Sequence, residues 1–363
     1  MQGEENWYSS RYSPENASDV LQLLNKTRGE KEPLSPSYLD WQFEKGPGGS
    51  AIGVVAWEDR TGRAIGQAAV LPIGVRLGGK TANAGLVLPP TVDPDSAEDG
   101  MGARLLEEAV ALAEQEGLAF CYAFADQSSL PAFLADGFER AITLPLLIRP
   151  LNPERLAAKS SGGRSLARAA SIARIVWRMP AVTGRQEEVP GLEIEEVDSF
   201  DEPFAVFWHR VHQRLPIMVI RDPAYLNWRF IDRPDRRYAV FIGKSEGKIR
   251  GLIAAQVANL GRFSTGVIVD LLVEASGEGR AAGRLLVDHV DAYFRGLDLD
   301  MLVTVALRHT DEFRIFRSRG FWVPPRFLEP HPFHLLVRPQ AEGTETVYAL
   351  RNWFLTLGDS QIA

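Results

Sequence analysis

Two stretches of this 363-residue chain carry residues in spacings suited to holding an anionic ligand. The first runs Val92-Asp93-Pro94-Asp95-Ser96-Ala97-Glu98-Asp99-Gly100-Met101-Gly102-Ala103-Arg104-Leu105-Leu106. A strand-like run ends, a polar loop follows, and Gly-x-Gly opens an amphipathic pattern of helical period. Gly100 and Gly102 permit positive φ and let a ligand approach the backbone. The N–H groups of a helix start, with the positive end of its dipole behind them, favour a pyrophosphate. A plain turn is the alternative, because glycines also make turns. The second stretch, Val273 to Arg284, lacks the clean Gly-x-Gly of the first. It has Arg280 and Arg284 as phosphate contacts, with Ala282 and Gly283 between them.

Other chemistry is less well supported. Gly74-Val75-Arg76-Leu77-Gly78-Gly79-Lys80-Thr81 fits the Walker A expression, but a strand-like run follows it where a P-loop needs a helix. The segment therefore reads as a hairpin turn at Gly78-Gly79-Lys80. His209/His212 and His331/His334 have no cysteine or paired carboxylate nearby to complete a metal site, so no metal is expected. With one cysteine, Cys121, neither an internal disulfide nor a cysteine cluster can form. A net charge of −7 disfavours nucleic acid as a partner. Hydrophobic residues make up 45% of the chain, which excludes disorder as its main state. No apolar run has the roughly 18–20 residues of a membrane helix. No leader segment is evident at the N-terminus, so a cytoplasmic protein without membrane contact is expected.

The elements that must position these residues come in two similar sets. Tyr38-Leu39-Asp40-Trp41-Gln42-Phe43 recurs as Tyr225-Leu226-Asn227-Trp228-Arg229-Phe230, 187 residues on. Asp136-Gly137-Phe138 recurs as Arg319-Gly320-Phe321. Val92-Asp93-Pro94 with Leu105-Leu106 matches Val273-Glu274-Ala275 with Leu285-Leu286. Landmarks in the same order imply two homologous domains, here 1–150 and 191–363, the latter with a C-terminal extension. Residues 151–190 read as a linker, with a basic amphipathic helix over 165–179. In the first half, helices are expected at 17–24, 36–43 and 102–116, and strands at 51–57, 64–77, 85–92, 118–125 and 142–148. In the second, strands are expected at 238–242, 249–258, 265–273 and 301–307, and helices at 282–294 and 311–319. This is a mixed α/β layout, with antiparallel strands ahead of a central β-α-β unit. The repeated aromatics Tyr38, Trp41, Tyr225 and Trp228 are read as core, with an acceptor pocket as the alternative.

The first stretch resembles motif A of the GNAT (Gcn5-related) N-acetyltransferases, Val-x-Pro-x-x-(Gln/Arg)-x-x-Gly-x-Gly-x-x-Leu-Leu. Asp126 to Phe138 resembles the same family's motif B, and the second half repeats the scheme through Arg308 to Phe321. The resemblance covers most of the chain and implies two tandem GNAT-like domains. It also implies acyl-CoA-dependent N-acyltransfer, with acetyl-CoA as co-substrate and a small-molecule amine or amino sugar as acceptor. Val92, Gly100, Met101, Gly102, Ala103 and Arg104 become the preferred CoA-binding set; Val273, Arg280, Ala282, Gly283 and Arg284 are the alternative. Asp270, on a strand that would border the acceptor cleft, becomes the candidate general base. Tyr122 becomes the candidate acid, because Phe133 and Phe316 occupy the place of the family's tyrosine and carry no proton. Asp40 and Glu44 are further cleft candidates.

The chain also departs from the pattern. Ala97 replaces Gln or Arg, Glu98 and Asp99 bring negative charge to the loop, and Asp126 and His309 replace the motif B asparagine. Pro89 and Pro90 remove two donors from the strand whose amides hold the pantetheine in the family. Two other readings therefore stand beside catalysis: a non-catalytic ligand-binding or assembly protein, and a tRNA-dependent aminoacyltransferase.

Overall fold

A computed structural model describes residues 6–29, 32–96, 98, 100–161, 191–324 and 333–361. Contacts divide the chain into two units, each drawing on both halves of the sequence. The first comprises Met1–Thr143, Leu215–Arg236 and His331–Trp353; the second comprises Leu144–Arg214, Arg237–Pro330 and Phe354–Ala363.

In the first unit one sheet runs β1 (Trp7–Arg11), β2 (Ile52–Glu58), β3 (Ala64–Leu77), β4 (Lys80–Val87), β6 (Phe120–Ala125), β15 (His334–Pro339) and β7 (Glu139–Thr143). Two short strands, β5 (Thr91–Val92) and β10 (Ile217–Val219), also pair with β3. All these pairings are antiparallel except β4 with β6, whose crossover carries helix α3 (Met101–Gln115). That helix buries Met101, Leu105, Leu106, Ala109, Val110 and Ala113, the 3.6-period face seen in the sequence. The face packs on Ile52, Val54, Ala56, Ile65, Ala68 and Val70 of the sheet. Gly66 leaves room for that face, since a Cβ would lie 2.7 Å from Leu105 Cδ1. The Walker-like segment is a hairpin turn between β3 and β4, with Gly78 and Gly79 at φ +57 and +87.

In the second unit the sheet runs β8 (Leu146–Pro150), β14 (Met301–Val305), β13 (Phe263–Val273), β12 (Lys248–Leu260), β11 (Ala239–Ser245) and β9 (Leu192–Glu196). Again one pair is parallel, β13 with β14, joined through helix α8 (Gly277–Phe294). Leu286, Val287, Val290 and Phe294 of this helix share a core with Ile253, Ile268, Leu271 and Leu302.

Two expectations change, besides the strand expected over 85–92, which is interrupted between β4, ending at Val87, and β5 at Thr91–Val92. The strand expected over 142–148 is two strands in two sheets, β7 and β8, separated at Leu144-Pro145. Proline offers no N–H to a ladder, so pairing ends there. The packing units are therefore not contiguous pieces of chain. The first half gives β8 to the second unit, and the second half gives β15 to the first. The other change concerns α8, which begins at Gly277 rather than at residue 282.

Helix α5 (Pro153–Ser161) opens the expected linker. Arg155 and Lys159 hold it to Asp300, which is fully buried, and Asp300 also accepts the Ser264 N–H at 2.8 Å. The basic helix expected over 165–179 lies outside the described residues. None of the described helices is long and apolar enough to cross a membrane.

The repeated motifs are packing devices. The first Tyr-Leu-x-Trp-x-Phe lies on α2 (Pro36–Phe43); the second lies on α7 (Pro223–Leu226) and the π-helical turn Asn227–Ile231 that follows. Both belong to the first unit. Trp41 and Trp228 stack with centroids 5.0 Å apart. Each indole N–H donates to the other's carbonyl, at 2.6 Å from Trp41 and 2.9 Å from Trp228. The Asp-Gly-Phe and Arg-Gly-Phe copies follow α4 (Leu130–Ala135) and α9 (Asp311–Ser318), with Gly137 and Gly320 at φ +80 and +82. These turns fold Phe138 onto Phe133 at 5.3 Å and Phe321 onto Phe316 at 5.1 Å, all four in cores. The phenylalanines at the family's tyrosine position are thus core pairs.

Candidate functional site

Both units build the same strand irregularity ahead of the α3 or α8 helix. In the first, Val70 pairs with Val87 and Gln67 with Thr91, so one extra residue sits within Leu88-Pro89-Pro90. In the second, Ala254 pairs with Asp270 but Ala255 with Ile268, leaving Val269 extra. A bulge of this kind twists a strand and ends pairing on one side. The parallel pairing indeed stops early: β4 meets β6 only over Gly85–Val87, and β13 meets β14 only over Thr265–Val267.

Past each bulge a strand edge points towards the parted partner. The Asp93 N–H donates to the Ile65 carbonyl at 2.8 Å, and the Glu274 N–H to the Arg250 carbonyl at 2.9 Å. Antiparallel ladders alternate, so the preceding residues, Val92 and Val273, turn their N–H and C=O groups the other way. Val92 is half-buried, and among the described residues no side chain bonds these groups. At Val273 the edge is occupied. Glu312 Oε1 accepts its N–H at 3.2 Å, and Arg214 Nη1 donates to its carbonyl at 2.6 Å. Arg214 and Glu312 also bond each other at 2.7 and 3.0 Å, with side chains 10% and 2% exposed.

The first unit brings its predicted ligand residues together. Gly100 caps α3 with φ +86, and Met101 is the helix's first, buried residue. A Cβ on Gly102 would lie 3.6 Å from Val92 and 3.8 Å from Pro90. Ala103 and Arg104 follow in the first turn, and the Arg104 guanidinium lies 4.6 Å over the Trp7 ring. Glu98 is drawn to the same tryptophan, accepting its indole N–H at 3.2 Å. Ala97 and Asp99 lie outside the described residues. Beneath the loop, Asp93 is 1% exposed and accepts from Lys26 at 2.7 Å. Burial alone would raise its carboxyl pKa; Lys26, the Asp95 N–H and the Arg63 charge reverse this and leave it below the ordinary value.

The second set lies elsewhere than expected. Because α8 begins at Gly277, Arg280 lies inside it, and Ala282, Gly283 and Arg284 stand past its first turn instead of at its start. Ser276 caps that helix and accepts the Gly279 N–H at 2.9 Å. Gly279 and Gly283 serve packing, because a Cβ would lie 2.0 Å from the Glu274 carbonyl and 2.7 Å from Ile315, respectively. Arg280 pairs with Asp311 at 3.5 Å.

Asp270, beside the second bulge, and Tyr122, on β6, are each 1% exposed. Tyr122 packs among Phe120, Phe124 and Trp353, with centroids 6.0–6.1 Å away. Cys121 faces the opposite, helix-covered side, and burial pushes its thiol up to about 12. Asp40 pairs with Lys45 at the surface. Glu44 accepts from Tyr12 at 2.9 Å in the wall of a cavity of about 400 Å³ near the far end of α3. Among the described residues, no group of three His, Cys, Asp or Glu could hold a metal.

Asp126, in place of the motif B asparagine, caps its own turn. It accepts from the Ser128 hydroxyl at 2.7 Å and from the Ser129 N–H and hydroxyl at 3.0 Å. The Ser128 hydroxyl contributes most to lowering its pKa to about 2. A depressed folded-state pKa gives stability that is present above the unfolded value, near 4, and lost as pH falls towards 2. Asp126→Asn is therefore expected to cost about 1–2 kcal/mol at pH 7. The deficit should shrink as pH falls from about 4 to about 2; urea unfolding across that range checks it.

The pair that closes the second edge, Arg214 and Glu312, was not legible in the sequence. The residues are 98 positions apart in no motif, and only the packed strand shows their partnership.

Comparison with known proteins places this geometry. No protein-family model matches the chain, and no curated protein matches it. Solved structures do. A GCN5-related N-acetyltransferase from Anabaena variabilis aligns with a TM-score of 0.61 at 14% identity, over 92% of this chain and 73% of that one. Saccharomyces cerevisiae N-myristoyltransferase with bound myristoyl-CoA aligns with a TM-score of 0.59 at 13% identity, over 93% and 84%. A tandem GNAT protein from the clavulanic acid biosynthesis pathway aligns with a TM-score of 0.55 at 12% identity, over 92% and 99%. Two mixed sheets, each with a bulged strand parting from a parallel neighbour ahead of a crossover helix, give this chain the tandem GNAT fold.

Proposed function

We propose that the chain is an acyl-CoA-dependent N-acyltransferase whose acyl-CoA binds the first unit. The observation that carries this reading is the open edge at Val92, directly beside the Gly100–Gly102 helix start. An amide-bearing arm can pair with the Val92 N–H and C=O as an added strand does. The start of α3, with Gly102, Ala103 and Arg104, receives the phosphates. The site suits an anion better than its composition implies. Glu98 is turned to Trp7, and Asp93 and Asp95 are bonded to Lys26.

Acyl transfer forms a C–N bond and breaks a C–S bond; the thiolate departs and the amine nitrogen must lose a proton. A free alkyl amine has a pKa of about 10, so a base or a water must take that proton. Tyr122, which belongs to the same unit as Val92, remains the proposed proton carrier, and acetyl the proposed acyl group; Asp270 belongs to the second unit. A small amine or amino sugar is the proposed acceptor.

The test is turnover. Purified protein with acetyl-CoA and a panel of amines and amino sugars should release free thiol only when an accepted amine is present. Cys121 is fully buried, so the native protein adds no background to a thiol assay. Binding of acetyl-CoA without thiol release for any amine would favour the non-catalytic reading.

A further inference from the structure

We infer that the second unit has closed the strand edge that the first leaves open, and that the chain therefore holds one acyl-CoA, not two. The inference rests on the acyl-CoA reading above and adds a division of labour between the units.

A parted strand edge offers a fixed donor and acceptor, and an amide-bearing chain satisfies both by lying alongside. At Val273 this pattern is already met from within. Glu312 supplies the acceptor for the N–H, and Arg214 the donor for the C=O. The two side chains bond each other on both sides of the guanidinium, so the pair copies the hydrogen-bonding face of an amide. Four more features support closure. Val273 is fully buried, and the Arg214 guanidinium lies 5.5 Å over the Phe354 ring. Ser276 takes the Gly279 N–H at the start of α8. The carboxylates nearest that helix start, Glu274 and Glu278, are bonded to Arg250, so that cation is spent on protein charges.

Among the described residues, the first unit has no counterpart. By the repeat spacings, Thr27 stands where Arg214 stands, and Ser129 where Glu312 stands. Thr27 bonds backbone carbonyls of its own helix, and Ser129 bonds Asp126. An incoming amide would have to displace a buried ion pair at Val273 but nothing of the kind at Val92.

Two measurements on the full chain test this. Calorimetric titration with acetyl-CoA should give one site per chain, abolished by Gly102→Glu and retained in Arg214→Met/Glu312→Leu. Amide hydrogen exchange at Val273 should be slow and unchanged by saturating acetyl-CoA. In the Met/Leu pair variant it should quicken at least tenfold. Two sites per chain, a site lost in the pair variant but kept in Gly102→Glu, or ligand-induced protection at Val273 would overturn the inference. So would unaltered exchange in the pair variant. No heat from the wild-type chain would instead sink the acyl-CoA reading, while exchange at Val273 still decides whether the pair holds that edge.

Discussion

Trp228→Ala is expected to lower the unfolding free energy by about 3–5 kcal/mol, at the upper end for a single substitution. Trp228 is 7% exposed and Trp41 is 5% exposed, so truncation removes a large apolar surface from the core. It also deletes the indole that donates to the Trp41 carbonyl at 2.9 Å and leaves the Trp41 ring unstacked. The loss spreads further. Tyr225 packs on Trp228 at 5.7 Å, Tyr38 on Trp41 at 5.6 Å, and the Arg233 guanidinium lies 4.8 Å over the Trp41 ring. Because each tryptophan serves the other, the effects must not add. Trp41→Ala/Trp228→Ala should cost less than the two single changes together by about 1–2 kcal/mol. Trp228→Phe separates the contributions in part: it keeps a ring to stack but loses the N–H and some buried ring area, so about 1–3 kcal/mol is expected. Denaturant unfolding of the four variants measures all of this. Additive singles would show that the stack and the reciprocal bonds are not one unit.

The same pair shows what the sequence could tell. The repeat was visible as letters, and its aromatic spacing already suggested core. That the two copies would meet each other was not visible, because nothing in either hexapeptide names its partner. The helices, the hairpin at Gly78-Gly79 and the parallel β-α-β crossover were legible because local periodicity and glycine placement determine them. The strand exchange was not. Residues 142–148 read as one mostly apolar run, and only the tertiary structure shows β7 and β8 leaving for different sheets. The loop-to-helix turn ahead of α3 was legible for a related reason: glycine at positive φ before a helix is a local requirement, met by Gly100 at +86. In the second unit, glycines that look alike in sequence serve packing. Gly279 lies against the Glu274 carbonyl and Gly283 against Ile315, and both are inside a helix whose start was placed five residues late.

That difference between glycines gives the largest expected effect on binding. Gly102→Glu should weaken acetyl-CoA binding at least 100-fold while leaving the unfolding transition within about 0.5 kcal/mol. The backbone tolerates the change: Gly102 is not among the positive-φ glycines, and its Cβ would meet Val92 and Pro90 at ordinary contact distances. A glutamate in the first turn of α3 even complements the helix dipole, so folding is not the weak point. What changes is the site. The side chain would extend from beside the Val92 edge and place a negative charge where the phosphates are proposed to bind, at a cost set by like-charge repulsion. Gly102→Ala distinguishes charge from bulk, because a methyl in contact with Val92 adds no charge; a loss below about tenfold is expected there. Titration calorimetry reads both variants, with thermal unfolding as the control. If Gly102→Glu bound acetyl-CoA as the wild type does, the first unit's loop would not be the phosphate site. The open edge at Val92 would then lose its proposed role, because the arm that pairs with it must come from a ligand anchored at that helix start.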